Sequence, residues 1–191
     1  MFYKTYIKRL LDLIVALIGT LILGALFIII GIAIKLDSKG PILFLQERIG
    51  KNGKVFKIYK FRTMVSNAAE LGPHFTSKND VRITKIGGLL RKTSLDEIPQ
   101  IINVLKGEMS LIGPRPYAIK QKDTISQSNF VVRHAVLPGI TGLAQVKGRS
   151  SLTSEEKLNY DLTYVREISL FLDVKILIRT VVITLKSKAS W

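Results

Sequence analysis

Asp96 and Glu97 stand side by side in the run Arg91-Lys92-Thr93-Ser94-Leu95-Asp96-Glu97-Ile98-Pro99-Gln100. They do so in a chain of 191 residues with 29 Lys and Arg against 14 Asp and Glu, a formal net charge of +15. In so cationic a protein an acidic pair is the place to look for metal-assisted or nucleophilic chemistry. A carboxylate can coordinate Mg²⁺, or it can attack phosphorus and form a covalent intermediate. Consecutive helical residues point about 100° apart, so the pair is poorly arranged to share one proton and separate roles are the natural expectation. A purely structural alternative has its own mechanism. Ser94 and Glu97 have the S-x-x-E spacing of a capping box, in which the two side chains satisfy free N–H groups at a helix start. Either way the pair lies at or just before a helix N-terminus, where the macrodipole stabilises anions. The other adjacent acidic pair, Glu155-Glu156, falls in a polar stretch and reads as an ordinary solvated helix start.

Several basic residues are presented in ways that suit phosphate. Gly113-Pro114-Arg115-Pro116 holds one arginine between two prolines, which leaves little backbone freedom and pre-positions Arg115. A rigid turn with an incidental arginine is the competing explanation. The punctuated loop Leu137-Pro138-Gly139-Ile140-Thr141-Gly142 precedes Gln145 and Gly148-Arg149, and it too has a plain reading as a connection. In Val55 to Arg62 the alternation places Lys60 and Arg62 on one side of a strand, where a solvated face is the bland alternative.

The elements that must position these groups can be read in outline. Two segments rich in β-formers, 42–49 and 54–61, flank Gly50-Lys51-Asn52-Gly53, and Asn-Gly between such segments predicts a hairpin because both residues tolerate positive φ. Residues 66–80 have loop composition. Ile86, Leu89 and Leu90, then Ile98, Ile101, Ile102 and Leu105, give helix-compatible spacing over 84–92 and 96–105, with Pro99 confined to a first turn. From Ser169 to Leu185 a stripe of Leu170, Phe171, Val174, Leu177, Ile178, Val181 and Leu185 makes a basic amphipathic helix. It suits a bilayer interface or a protein core equally.

Leu13 to Ile34 is an uncharged run of 22 residues, about 33 Å as a helix, enough for a hydrocarbon core of about 30 Å. It is too long for a signal-peptide h-region and lacks a cleavage-site pattern, so it reads as a permanent anchor. Lys4, Lys8 and Arg9 precede it and Lys35 and Lys39 follow it. The positive-inside rule therefore wants both flanks cytoplasmic, which a re-entrant helix satisfies and a straight span does not. Gly19, Gly24 and Gly31 are the available weak points, but the first proline, Pro41, lies outside the run and sharp kinks usually need more than one glycine, so the residues alone leave a re-entrant helix and a straight span both open. The expected division is residues 1–36 as the anchoring helix and 37–191 as one cytoplasmic domain ending in the amphipathic helix. Between Phe44 and Lys92 there are 11 Lys and Arg against Glu47, Glu70 and Asp80, which suits lipid headgroups, phosphorylated substrates or nucleic acid. The anchor favours the first two. With no cysteine, disulfides, thiolate metal sites and cysteine catalysis are excluded.

The chain resembles the small, single-domain bacterial polyprenol-phosphate phosphoglycosyltransferases, or bacterial sugar transferases. The resemblance runs from about Lys8 to Leu185 through Lys57-Ile58-Tyr59-Lys60-Phe61-Arg62-Thr63-Met64, Ser94-Leu95-Asp96-Glu97, Asn103-Val104-Leu105-Lys106-Gly107-Glu108-Met109-Ser110, Gly113-Pro114-Arg115-Pro116 and Pro138-Gly139-Ile140-Thr141-Gly142. It implies transfer of a sugar-1-phosphate from a UDP-sugar to undecaprenyl phosphate with release of UMP, using Mg²⁺, at the cytoplasmic face of the bacterial inner membrane. Asp96 matches the family's nucleophile and Mg²⁺ contact, implying a phosphosugar-enzyme intermediate and ping-pong order, and Glu97 matches the second member of the dyad. Arg62, Arg91, Arg115 and Arg149 are matched as phosphate or nucleotide contacts, with Asp161 in a supporting role. Gly24-Ala25 stands where small members commonly carry Ser-Pro, the proline that supports a re-entrant bend. The expected fold class is α+β: a re-entrant N-terminal membrane helix, then a mostly helical domain with a small hairpin and interfacial amphipathic helices. The rival class is a membrane-anchored basic module that binds anionic polymers without catalysis. Phe56, Tyr59 and Phe61 are too few for stacking on single strands, so nucleic acid is not an expected partner. A homo-oligomer is compatible with the sequence, which fixes neither oligomeric state nor the sugar.

Overall fold

The computed structural model describes residues 2–68, 70–72, 80–148 and 151–186. A π-helical turn, Tyr3–Ile7, runs into helix α1 (Lys8–Asp37), which is followed by an antiparallel hairpin of β1 (Leu43–Ile49) and β2 (Val55–Phe61). The hairpin register runs from Leu43 opposite Phe61 to Ile49 opposite Val55. Asn52 and Gly53 take φ of 56° and 76°, the left-handed values that make Asn-Gly a good closure. Part of the loop expected at 66–80 lies outside the described residues. Helix α2 (Lys85–Thr93) begins at Thr84, whose hydroxyl accepts the Gly87 N–H. A 3₁₀ turn, Leu95–Glu97, leads into α3 (Gln100–Lys106) and β3 (Ser110–Ile112). Strand β4 (Tyr117–Ala118) extends the hairpin on the β1 side, giving the order β2-β1-β4. After α4 (Gln127–Arg133), β5 (Gly139–Thr141) pairs in parallel with β3, and α5 (Leu143–Lys147), α6 (Ser154–Glu167) and α7 (Leu170–Lys186) complete the described residues. The fold is α+β, as expected, with β4 and the parallel pair as additions that short strands hide from a sequence reading.

Helix α1 shares its core with the rest of the fold. Ala16 packs with Phe56, Ile58, Val104 and Met109, while Ile30 and Ile34 pack with Phe61 and Leu90. The ring centroids of Phe27 and Phe61 are 4.6 Å apart. A Cβ on Gly19 would come 2.9 Å from the Ile101 side chain and one on Gly31 would come 3.3 Å from that of Ile42, so these two glycines allow close packing in an uninterrupted helix. On the opposite face Leu17, Leu21, Ile22, Ile28 and Ile29 are exposed among the described residues.

Both ends of α1 are tied down by polar contacts. The Tyr3 hydroxyl and the Lys8 ammonium donate to Asp173 of α7 at 2.6 and 2.8 Å, and Tyr164 of α6 donates to the other carboxylate oxygen. Asp12 accepts the Leu111 N–H, and at the far end Asp37 accepts the Ile86 N–H of α2. The folded domain therefore runs beside α1 along its whole length of about 45 Å.

The stripe of α7 divides differently from its sequence pattern. Leu172, Ile176 and Ile183 face the core with Val165 and Tyr164, whereas Leu170, Phe171, Val174, Leu177, Ile178 and Val181 are exposed. Most of the expected stripe is thus an outward apolar surface.

Candidate active site

The acidic pair occupies the turn between α2 and α3, and the expected capping box does not form there. Ser94 adopts φ 58° and ψ 17° and its N–H bonds back to the Leu90 and Arg91 carbonyls, ending α2. A left-handed residue serving as a helix stop cannot also supply the extended geometry of an N-cap, and its side chain does not cap the next turn. The Glu97 carboxylate is consequently directed elsewhere. Lys60, near the end of β2, donates to its Oε1 at 2.8 Å, and Arg115 forks onto it with Nη2–Oε1 at 2.5 Å and Nη1–Oε2 at 3.3 Å. Burial opposes its ionisation, yet Arg115 and Lys60 hold the Glu97 carboxyl well below the usual carboxylate range.

Asp96 is treated in the opposite way. Burial pushes its carboxyl upward, against the influence of Lys60, Arg91 and Arg115. Among the described residues no hydrogen bond or ion pair engages it. One member of the pair is pinned between two cations, and its neighbour is left with free oxygens in their field.

The four arginines singled out in the sequence have different fates. Arg115 is in the site through Glu97. Arg91 lies close enough to Asp96 for their charges to interact, and its Nε donates to Thr63 at 2.8 Å. Arg62 turns toward the end of α1, where its Nη2 donates to the Ser38 carbonyl and hydroxyl at 2.7 and 2.8 Å. Its Nε and Nη1 are buried without a partner among the described residues. Arg149 lies outside the described residues.

A second layer fixes Arg115 itself. Arg133, the last residue of α4, donates Nε to Asp161 of α6 at 2.9 Å, and its Nη2 lies 2.7 Å from the same carboxylate oxygen. That Nη2 also donates to the Arg115 carbonyl at 2.6 Å, and the guanidinium stacks 3.5 Å from the Tyr117 ring centroid. Asp161 therefore reaches the site through Arg133, which the sequence reading did not single out. In the sequence Lys60 stands out only as part of a strand face. No local pattern marks Arg133, since its partners are distant in sequence. The Arg115 loop is also braced by backbone: Gly113 N–H donates to Thr141 and Gly139 N–H to Pro114, at 2.8 and 2.9 Å. A Cβ on Gly139 would lie 2.0 Å from the Gly113 nitrogen, so only glycine lets these two loops touch.

Two cavities meet at Arg115 and Gln145. One, of about 350 Å³, is lined by Arg48, Arg133, Lys157 and Tyr117, with buried polar atoms of Arg48 (Nε) and Gln145 (Oε1) that have no partner among the described residues. The other, of about 310 Å³, is mainly aliphatic and opens beside Glu97. Among the described residues no cluster of three or more His, Asp or Glu could hold a metal unaided. Mg²⁺ commonly binds through one or two carboxylates together with substrate phosphates and water, and Asp96, with its oxygens free, fits that mode.

The site thus places an unengaged carboxylate beside Lys60, Arg91 and Arg115, on a basic fold built around a long apolar helix. The chain belongs to the bacterial sugar transferase family, whose model matches residues 3–187. It is 42% identical over 181 residues to the UDP-glucose:undecaprenyl-phosphate glucose-1-phosphate transferase of Klebsiella pneumoniae, covering 91% of this chain and 39% of that protein. Similarity to the UDP-N-acetylgalactosamine-undecaprenyl-phosphate N-acetylgalactosaminephosphotransferase of Aeromonas hydrophila is 40% identity over 184 residues, 92% of this chain and 43% of that protein. Against the exopolysaccharide production protein PSS of Rhizobium leguminosarum bv. phaseoli it is 42% over 187 residues, 92% of this chain and 94% of that protein. The chain thus spans about two-fifths of the length of the first two relatives.

Proposed function

We propose that this protein transfers a sugar-1-phosphate from a UDP-sugar to undecaprenyl phosphate and releases UMP. The observation that carries the reading is the contrast within the acidic pair: Glu97 is held by Lys60 and Arg115, and Asp96 is left unbonded beside the same cations. A carboxylate so placed is a nucleophile with its charge stabilisation already assembled. In the first step an Asp96 oxygen attacks the sugar-bearing phosphorus. The bond from that phosphorus to the bridging oxygen breaks, and UMP leaves with the oxygen. In the second step a phosphate oxygen of the lipid attacks the same phosphorus, the bond to Asp96 breaks, and the carboxylate is regenerated.

Lys60, Arg91 and Arg115 face the charge that accumulates on the phosphoryl oxygens, and Asp161 with Arg133 keeps Arg115 in place. Arg48 and Lys157 make the larger cavity a suitable seat for the nucleotide diphosphate, and the free Arg48 and Gln145 atoms give it further polar partners. Asp96 would hold Mg²⁺, which when bound would supply further neutralisation of the diphosphate. The membrane course we propose is monotopic, with both ends of α1 on the cytoplasmic face. It is supported by the basic flanks and by the polar contacts that tie both ends to one domain. The outward faces of α1 and α7 then meet lipid.

The test is UMP release from a panel of UDP-sugars with undecaprenyl phosphate and Mg²⁺, run beside Asp96→Asn. Turnover with at least one donor and its loss in the variant are expected. Absence of UMP with every donor, or full turnover by the variant, would sink the mechanism.

A further inference from the structure

The transfer proposed above needs two substrates of opposite character to meet at one carboxylate pair, and two cavities adjoin it: the cationic one is lined by Arg115, which bonds Glu97, and the aliphatic one by Glu97 itself. The smaller one is bounded by Leu23 of α1, Ile98 and Ile101 at the start of α3, and Thr180, Ile183 and Thr184 of α7. Its threonines contribute little polarity. The Thr180 hydroxyl donates to the Ile176 carbonyl at 2.8 Å and lies 2.7 Å from the Thr141 hydroxyl, and that of Thr184 donates to the Thr180 carbonyl at 2.8 Å. With the hydroxyls committed to their own helix or to each other, the wall offers methyl groups and aliphatic chains.

The lining of this groove combines charge with aliphatic surface. Glu97 and Arg115 are part of it, and Arg115 is half exposed and able to meet an anion. The bounding helices α1 and α7 are the two that carry outward apolar faces. A ligand matching such a site has an anionic head and a long hydrocarbon tail that continues beyond the protein, since about 310 Å³ holds only the first part of a chain. Sugar nucleotides do not have that form. We infer that this groove between α1, α3 and α7 receives the head-proximal end of the polyprenyl tail of the acceptor, delivering its phosphate to Arg115 from the membrane side. This inference rests on the transfer reading and adds to it a route: the donor enters by the cationic cavity and the acceptor by the aliphatic one, with Arg115 and Gln145 shared between them.

The test fills the groove and reads the acceptor. In the full chain, Leu23→Trp and Thr184→Trp are each expected to raise the KM for undecaprenyl phosphate about tenfold. A three-isoprene phosphate carries the same head-proximal segment and should be shifted by a similar factor. Tryptophan variants that leave the acceptor KM unchanged, or that shift the long acceptor while leaving the short one at its wild-type KM, overturn the groove. Labelling makes the test independent of turnover: a photoreactive polyprenyl phosphate applied to the Asp96→Asn protein should mark residues 93–101 and 180–184, with competition by undecaprenyl phosphate. Labelling elsewhere, or equal competition by ordinary phospholipid, refutes the groove even if transfer is intact. Specific labelling without UMP release from any donor would keep the groove and remove the transfer reading.

Discussion

Asp161→Asn isolates what the second layer contributes. Arg133 and Asp161 are 2% and 4% exposed, so their pair is a buried one, and removing one partner of such a pair costs about 3–5 kcal/mol. Arginine cannot relieve this by losing its proton, and the asparagine oxygen can still accept one bond, which places the expected loss near about 3 kcal/mol. For a chain of this size each kcal/mol lowers Tm by about 2–4 °C, so a fall of about 6–12 °C is expected in thermal unfolding. Activity should fall as well, because Arg133 then no longer holds the Arg115 carbonyl firmly, and a displacement of about 1 Å can cost about 100-fold. The informative comparison is Arg133→Met with Asp161→Leu. Replacing both partners by apolar groups should restore most of the stability, since such exchanges are often neutral. It should leave kcat/KM low, because the tether to Arg115 is still missing. A loss below about 1 kcal/mol in Asp161→Asn, the range of exposed pairs, would refute the burial argument. Recovery of activity in the double variant would refute the tether.

Glu97→Gln removes the charge that gathers Lys60 and Arg115 and is expected to lower kcat/KM about 100- to 1000-fold, with UMP release as the assay; a variant within about threefold of wild type would show the pincer to be dispensable. His134 lies between the Phe130 carbonyl and Arg133, at 2.8 and 3.2 Å, and burial pushes its imidazole below the ordinary value. The unfolded chain takes up that proton near pH 6.5 and the folded one only at lower pH, so stability should be complete above about 6.5 and decline below it. His134→Gln should flatten the drop in Tm between pH 7.5 and 5.5, and an unchanged drop would assign it to other groups. Single cysteines at Lys4 and Lys39 should react with an impermeant reagent from the same side of sealed vesicles; reaction from opposite sides excludes the monotopic course.

How much of this was legible depended on how local each cause is. Asn52-Gly53 announces the hairpin because its conformational demand is met by the two residues themselves. The α2 and α3 segments follow from apolar spacing, and the acidic pair is conspicuous against the positive charge around it. Ser94 misled because its spacing to Glu97 fits a cap, and only the packing of α2 against the next turn assigns it to a helix stop. Arg133 was invisible because its importance arises from three contacts made by distant segments. Arg62 sits in a recognisable motif, yet its contacts in the structure are with Ser38 at the end of α1. The stripe of α7 is apolar by composition, and periodicity alone does not say which side meets protein.

The contact between Gly113 and Gly139 bears on how such domains could be recombined. The Gly-Pro-Arg-Pro loop and the Pro-Gly-Ile-Thr-Gly loop touch without side chains between them and exchange hydrogen bonds across a parallel pair. Neither can be lengthened or tilted alone without moving Arg115 at one end or Gln145 at the other. A chimera that grafts donor preference from one relative onto another should therefore exchange both loops as one cassette, cut outside β3 and α5.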